Sequence, residues 1–292
     1  MTNLITYHVV FGHFHSASDY PNTTIGRTAL GDPSFVTLEG NKNQVLAWAR
    51  REDGQVHVLN QGSVKLYLDF YFLFNVFTNS PAKDPRVVQL TSYQNLDIFV
   101  INGLLLYPGN ITTTFQSNSE LSSLANFSQN SEVPIWDTGS NTTQQVSITQ
   151  VLSGVRGLTL FAPHNNATEH ISGNITQLWN VLRNHMINGT TVYSPSFVNS
   201  TYVSAAGENI HLTSNASGNF VMSGNTTARI VQPDVLTENG VIHIIDRVLM
   251  NSDVNQTAAD DAYSSASSLA AHSPTETGPV GVPTMGMSNN TV

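Results

Sequence analysis

The chain has 292 residues, of which 40% are hydrophobic and 9% aromatic, enough to build cores in about two domains of ordinary size. Its net charge of −9, from 11 basic and 20 acidic residues, would repel phosphate backbones and anionic lipid surfaces, which argues against nucleic-acid binding. Cysteine is absent, which excludes disulfides, thiol nucleophiles and cysteine-ligated metal centres.

The stretch LITYHVVFG, Leu4 to Gly12, reads as a buried strand with nothing ahead of it to cover it. It carries no Lys or Arg and holds His8 in its middle, unlike a signal peptide. His13 and His15 share one face of an extended segment, but two imidazoles without closing ligands do not make a metal site. SFVTLEG, QVHVLNQGSVKLYL, RVVQL and LDIFVINGLLLY continue the strand-rich block, with a hairpin turn at Gly62 between Val56, Val58 and Val64, Leu66. Within it LYLDFYFLFNVF packs four phenylalanines and two tyrosines into 12 residues, too few for a membrane span of ~20 residues. Residues 66–80 therefore read as an insertion in a hairpin.

From about residue 116 the pattern turns helical, with Leu121, Leu124 and Ala125 on one face. GLTLFAP follows as a buried strand ended by Pro163. Asn174 N-caps the clearest helix, which places Ile175, Leu178 and Leu182, then His185 or Met186, on one face and stops at Gly189. VYSPSF, NIHLTS, FVMSG, ARIVQP and VIHIIDRVLM are short and bounded by Gly, Asn or Pro, as strands are. Residues 251–292 are rich in Ser, Thr, Ala and Pro and read as a disordered tail, a stalk.

Two blocks repeat one another. LITYHVVFGHFHSASD parallels VLRNHMINGTTVYSPS, placing His8 and His185 in equivalent positions. DIFVINGLLL parallels ENGVIHIIDRVL, each with an Asn-Gly followed by an apolar run, and Leu105 and Leu106 are read where the second copy has His243 and Ile244.

These segments resemble the fasciclin (FAS1) family. GLTLFAPHNNA is similar to its first signature, NHMINGTTVYS to its Tyr-His segment and ENGVIHIIDRVL to its second signature, in family order. Tyr7-His8 through DIFVINGLLL resembles the family only from the Tyr-His segment onward. The resemblance implies an α+β fold: tandem fasciclin-like domains, each a wedge of small β-sheets flanked by helices, the first copy lacking its helical front half. Residues 1–108 would be a partial domain carrying the Phe-rich insertion, and residues 116–250 a complete one.

The motif residues read as structural. Alternation in VIHIID puts Val241, His243 and Ile245 on one face and Ile242, Ile244 and Asp246 on the other. His185 and His243 read as core histidines whose ring nitrogens are both hydrogen-bonded. There is no Gly-x-Ser-x-Gly elbow and no phosphate loop, and the adjacent Asp260 and Asp261 read as solvated. The chain is thus expected to be no enzyme and to need no cofactor or metal. A sugar-binding module would need a concave aromatic pocket, with Trp136 and Trp179 as the tryptophans available to it.

QPDVL, residues 232–236, lies where animal adhesion proteins of the family carry a Glu-Pro-Asp-Ile-Met segment used in integrin recognition. Pro233, Asp234 and Val235 would form the corresponding adhesion turn, although Pro-Asp is also simply a good turn. Sequons at Asn22, Asn110, Asn126, Asn141, Asn166, Asn174, Asn188, Asn199, Asn215, Asn225, Asn255 and Asn289 number 12. Roughly 6 would arise by chance in a chain so rich in Ser and Thr. Sugars would then replace surface charge in keeping the molecule soluble.

The expectation is a non-enzymatic, glycosylated adhesion protein of a cell surface or extracellular matrix, reached by the secretory pathway, with protein or glycan partners and no direct insertion into a membrane. The alternative is a lumenal fasciclin protein of a vacuole or endomembrane, acting in membrane fusion or trafficking.

Overall fold

The computed structural model describes residues 2–61, 84–137, 141–169 and 171–281. The Phe-rich stretch and the turn expected at Gly62 lie outside the described residues. The architecture is α+β, in two halves that pack against each other.

The first half runs α1 (Thr2–Tyr7), β1 (Thr24–Arg27), β2 (Val45–Arg50), β3 (Val56–Val58), β4 (Val87–Tyr93) and β5 (Leu96–Ile101). The second runs α2 (Ile111–Ser117), α3 (Ser122–Asn130), β6 (Glu132–Asp137), β7 (Thr142–Ser147), α4 (Ile148–Gly154), β8 (Leu158–Pro163), α5 (Asn165–Thr168), α6 (Ile175–Arg183), β9 (Met186–Ile187), β10 (Ser200–Val203), β11 (Asn209–Asn215), β12 (Gly218–Ser223), β13 (Thr226–Thr237) and β14 (Gly240–Ile245). The chain then forms α7 (Gln256–His272).

The second half is built on a seven-stranded sheet ordered β10-β11-β12-β13-β14-β8-β9. β8 lies parallel to β14, with Leu160 opposite Ile242 and Phe161 opposite His243. Every residue of both strands is buried, as expected where a sheet is covered on both faces. Ile242 and Ile244 meet the helical side, where Ile148, Leu124 and Phe115 pack, while Ile245 meets Phe161, Phe197 and Ile210 on the other. The VIHIID alternation therefore sorts side chains between two cores.

Several expected elements take other forms. Residues 2–7 are helical, and the chain after them makes a single bridge, Val10 to Thr28, where a strand was expected. α6 ends at Arg183, because Asn184 turns inward and donates to the backbone oxygens of Asn251 and Asp253. Met186 then begins a strand, so neither His185 nor Met186 extends the helical face. SFVTLEG is irregular with a short turn at Glu39–Asn41, and VYSPSF holds a turn at Ser194–Ser196, where Pro195 supplies a fixed φ. VLAWAR forms β2, and its hairpin with β3 closes at Asp53-Gly54.

The tail is the largest correction over residues 251–281, while residues 282–292 lie outside the described residues. Far from being a disordered stalk, α7 is N-capped by Asn255, whose side chain accepts from the backbone N–H of Ala258 at 3.1 Å. Small residues here permit close approach instead of preventing a core. A Cβ on Gly40 would lie 2.4 Å from the Ala270 oxygen, and one on Gly207 only 1.9 Å from the Asn255 oxygen. Alanine is also the strongest helix former. Past α7, Glu276 receives Arg27 Nε and Nη2, each at 3.0 Å, and the Val280 N–H donates to the Ile25 oxygen at 2.8 Å. The tail thereby straps the second half to the first. Ile25, Val45 and Ala47 share a core with Tyr193, Leu236, Val241 and Val280, which closes the junction.

Candidate functional site

The two histidines equated in the repeat make the same pair of bonds. His185 Nδ1–H donates to the Val181 oxygen at 2.8 Å, and Nε2 accepts from the Leu249 N–H at 2.9 Å. His8 Nδ1–H donates to the Leu4 oxygen at 2.8 Å, and Nε2 accepts from the Leu105 N–H at 3.2 Å. Each ring thus closes the end of a helix and ties it to the segment after a hairpin. Tyr7, just before His8, is fully buried. Burial pushes its phenol up, an effect that neighbouring Gln61 only partly offsets. Burial also lowers His185, to about 4, so the ring is neutral in the fold.

The same bonds set the register between the halves. Asp246 accepts the Arg229 N–H at 2.8 Å and returns its own N–H to the Arg229 oxygen at 3.0 Å. Asn102 does the same with Arg86, at 2.8 and 3.1 Å. Asn102 is therefore the counterpart of Asp246, and Leu105 that of Leu249. Reading Leu105 opposite His243 is out of step with these bonds, and Phe99 stands in the place of His243.

His243 is fully buried against Phe161 and Phe197, with ring centroids 5.5 and 4.9 Å away. Its Nε2–H donates to the Val192 oxygen at 2.9 Å, and Nδ1 accepts from the Asp234 N–H at 3.2 Å. Burial depresses the imidazolium more than the Asp234 carboxylate favours it.

Pro233, Asp234 and Val235 do not form an exposed turn. They sit in β13 where Gln232 pairs with Ile244 and Val235 with Ile242, so three steps on one strand meet two on the other. That is a β-bulge, where a proline lacking N–H and a residue at φ +58° are both at home. All three residues are buried, and the Asp234 carboxylate accepts from the Ser194 N–H at 2.9 Å and from the Ser194 and Thr23 hydroxyls at 2.5 Å each. Thr23 belongs to the first half, so this carboxylate pins the junction. Serine, aspartate and histidine meet here, yet Ser194 bonds the carboxylate and not the imidazole. The group lacks the relay of a nucleophile.

Eleven sequons fall among the described residues. Ten of these asparagines are exposed, and Asn188 is half-buried. Asn110 and Asn174 cap α2 and α6 through the side-chain oxygen, as Asn255 caps α7. The capping bonds thus do not use the amide nitrogen, the atom to which a glycan is attached.

Among the described residues, exposed large apolar side chains concentrate on the β4–β5 hairpin. In the second half, the far edge of β14 is occupied by β8, whereas β5 pairs with β4 alone among the described residues. Val88, Leu90, Tyr93, Leu96, Ile98, Phe99 and Val100 are all exposed, with Tyr93 at 66% and Phe99 at 49%. The strand that should bury its run of apolar residues on both faces instead presents them with an unpaired edge. Among the described residues, no cluster of three or more His, Cys, Asp or Glu could hold a metal, and no helix is long and apolar enough to cross a membrane.

Residues 136–251 match the Fasciclin domain family model. A fasciclin-like arabinogalactan protein of Phaeosphaeria nodorum is 27% identical over 157 residues, covering 52% of this chain and 44% of that protein. Human periostin is 32% identical over 124 residues, covering 38% of this chain and 15% of periostin. A fasciclin-like arabinogalactan protein of Arthroderma benhamiae is 23% identical over 256 residues, covering 85% of this chain and 51% of that protein. The chain spans about half, or less, of the length of these relatives.

Proposed function

Because residues 136–251 form a domain of the fasciclin family, we propose that the chain is a non-enzymatic, glycosylated adhesion protein of a cell surface or extracellular matrix. Its domains would be a partial fasciclin-like unit over residues 1–108 and a complete one over 116–250, with residues 251–281 serving as a strap between them. The observation that carries the reading is the β4–β5 hairpin. Its exposed apolar faces, and an edge left unpaired among the described residues, suit a protein partner that adds a strand and covers the side chains. The buried Asp234 group and both core histidines are held by hydrogen bonds within the fold, a structural arrangement consistent with a role in binding and not in turnover.

The exposed sequons support glycosylation. Carbohydrate on them would keep the surface wet in a chain with only 11% charged residues. The full-length product of the native gene, tagged and imaged with and without surface protease, tests where it acts. Protease-sensitive signal at the cell surface or in the matrix, with a mass that falls on enzymatic removal of N-glycans, is expected. Protease-resistant signal confined to a vacuole would count against adhesion and favour a lumenal role.

A further inference from the structure

Between α4, α6, β10 and α7 lies a cavity of about 270 Å³. Two of its walls are aromatic. Trp179 comes from α6 and Tyr263 from α7, and Tyr263 reaches the cavity across Gly189, where an added Cβ would stand 3.1 Å from its ring. Gln256, Asp260 and Tyr263 lie at i, i+4 and i+7 on α7, so one face of the strap supplies part of the lining.

The polar groups of the cavity are prearranged. Arg183 Nε and Nη2 donate to the Ala205 oxygen at 3.0 and 2.6 Å, and Nη2 also donates to Gln256 Oε1 at 2.7 Å. Gln256 Nε2 in turn donates to Asp260 Oδ1 at 2.8 Å. Guanidinium and carboxylate face the same space, so the cavity has no net charge to offer an ion. One group is left over. Asn188 Oδ1 is buried with no hydrogen-bond partner, an acceptor whose desolvation nothing in the fold offsets.

We propose that this cavity binds the ring of one neutral sugar. A pyranose has an apolar C–H face to lay on Trp179 or Tyr263, and hydroxyls that donate to Asn188 Oδ1 and to the Asp260 carboxylate. The volume is below the ~300–1,000 Å³ of sites for larger ligands, which fits one ring and not a chain of them. An apolar aromatic molecule would leave Asn188 Oδ1 unpartnered. An anion would meet the like charge of Asp260, and a cation that of Arg183. The inference is independent of the adhesion reading, which rests on the other half of the molecule.

The test uses the full chain with glucose, mannose, galactose and N-acetylglucosamine as probes, followed by saturation-transfer NMR and thermal shift. At least one sugar should bind with a Kd in the millimolar range and raise Tm, since a ligand bridging α6 and α7 stabilises the docked strap. Asn188→Ala and Asp260→Asn should each weaken that binding about tenfold or more. The second variant alters an exposed, near-isosteric side chain, and so keeps the test decisive should the first fail to fold. Thr190→Val, which destroys the Asn188 sequon but keeps the oxygen, should bind as the parent does. The proposal is overturned if no sugar binds at about 50 mM, if Asp260→Asn binds unchanged, or if indole binds where the sugars do not.

Discussion

The ring nitrogen Nε2 of His185 accepts the backbone N–H of Leu249 at 2.9 Å, joining the end of α6 to the segment that follows β14. Its counterpart, His8 with Leu105, makes the same bond at 3.2 Å but at an exposed site. His185→Ala would strand a buried donor and a buried acceptor and should cost about 3 kcal/mol, while His8→Ala should cost below about 1 kcal/mol. Denaturant titration of the two variants reads the difference, and equal losses would contradict it.

The neutral state of His185 makes the fold acid-sensitive. Its folded value, about 4, lies below the ordinary 6.5, and His243 is shifted in the same direction. Between these values the unfolded chain binds more protons, so stability is fully present above about pH 6.5 and is lost as pH falls toward 4. His185 alone contributes roughly 3 kcal/mol over that window. Tm should fall from pH 7 to pH 5, and His185→Gln should flatten the slope.

Arg27 is 1% exposed and depends on a carboxylate 249 residues further along the chain. Burial pushes the Glu276 carboxyl up, but hydrogen bonds and charge from Arg27, with Lys42 adding to them, outweigh this and hold it below its usual value. Glu276→Gln should cost roughly 2 kcal/mol, since Glu276 itself is partly screened by solvent. Pairing Arg27→Met with Glu276→Leu should recover most of the loss. Thermal melts of the single and double variants decide it. A further loss in the double variant would mean that the pair adds net stability.

Asp234 receives three donors from two parts of the fold while holding φ +58°. Asp234→Ala should cost about 3 kcal/mol or more, and Asp234→Asn less, because rotating hydroxyls can serve an amide. Any loss of partner binding in Asp234→Ala should track its loss of folding, measured by circular dichroism on the same preparations. Lost binding in a fully folded variant would restore the adhesion-turn reading of Pro233, Asp234 and Val235.

Much of the second half was legible in the sequence. GLTLFAP and VIHIID are unbroken or alternating apolar runs, and the Asn174 cap announces α6. The pairing of His8 with His185 was legible as well, because an internal repeat shows positions that spacing alone does not. The tail was misread because Ala, Ser and Gly look like poor core formers. Their use here is to let a helix approach Gly40 and Gly207 closely, a property of the partner surface and not of the segment. Pro-Asp was misread as a turn because a bulge uses the same residues for the same backbone reasons, and only the pairing partner on β14 distinguishes the two. Trp179 was legible as an aromatic available to a pocket, but the pocket itself was not, since one of its walls comes from the misread strap.

On the adhesion proposal, the open β4–β5 hairpin is the surface that carries attachment. Ile98→Asp with Phe99→Lys places charge on both of its faces without touching the buried cores. Attachment of cells or matrix to immobilised full-length protein should fall at least tenfold, with Tm within about 2 °C of the parent. Unchanged attachment by the folded double variant would contradict the claim.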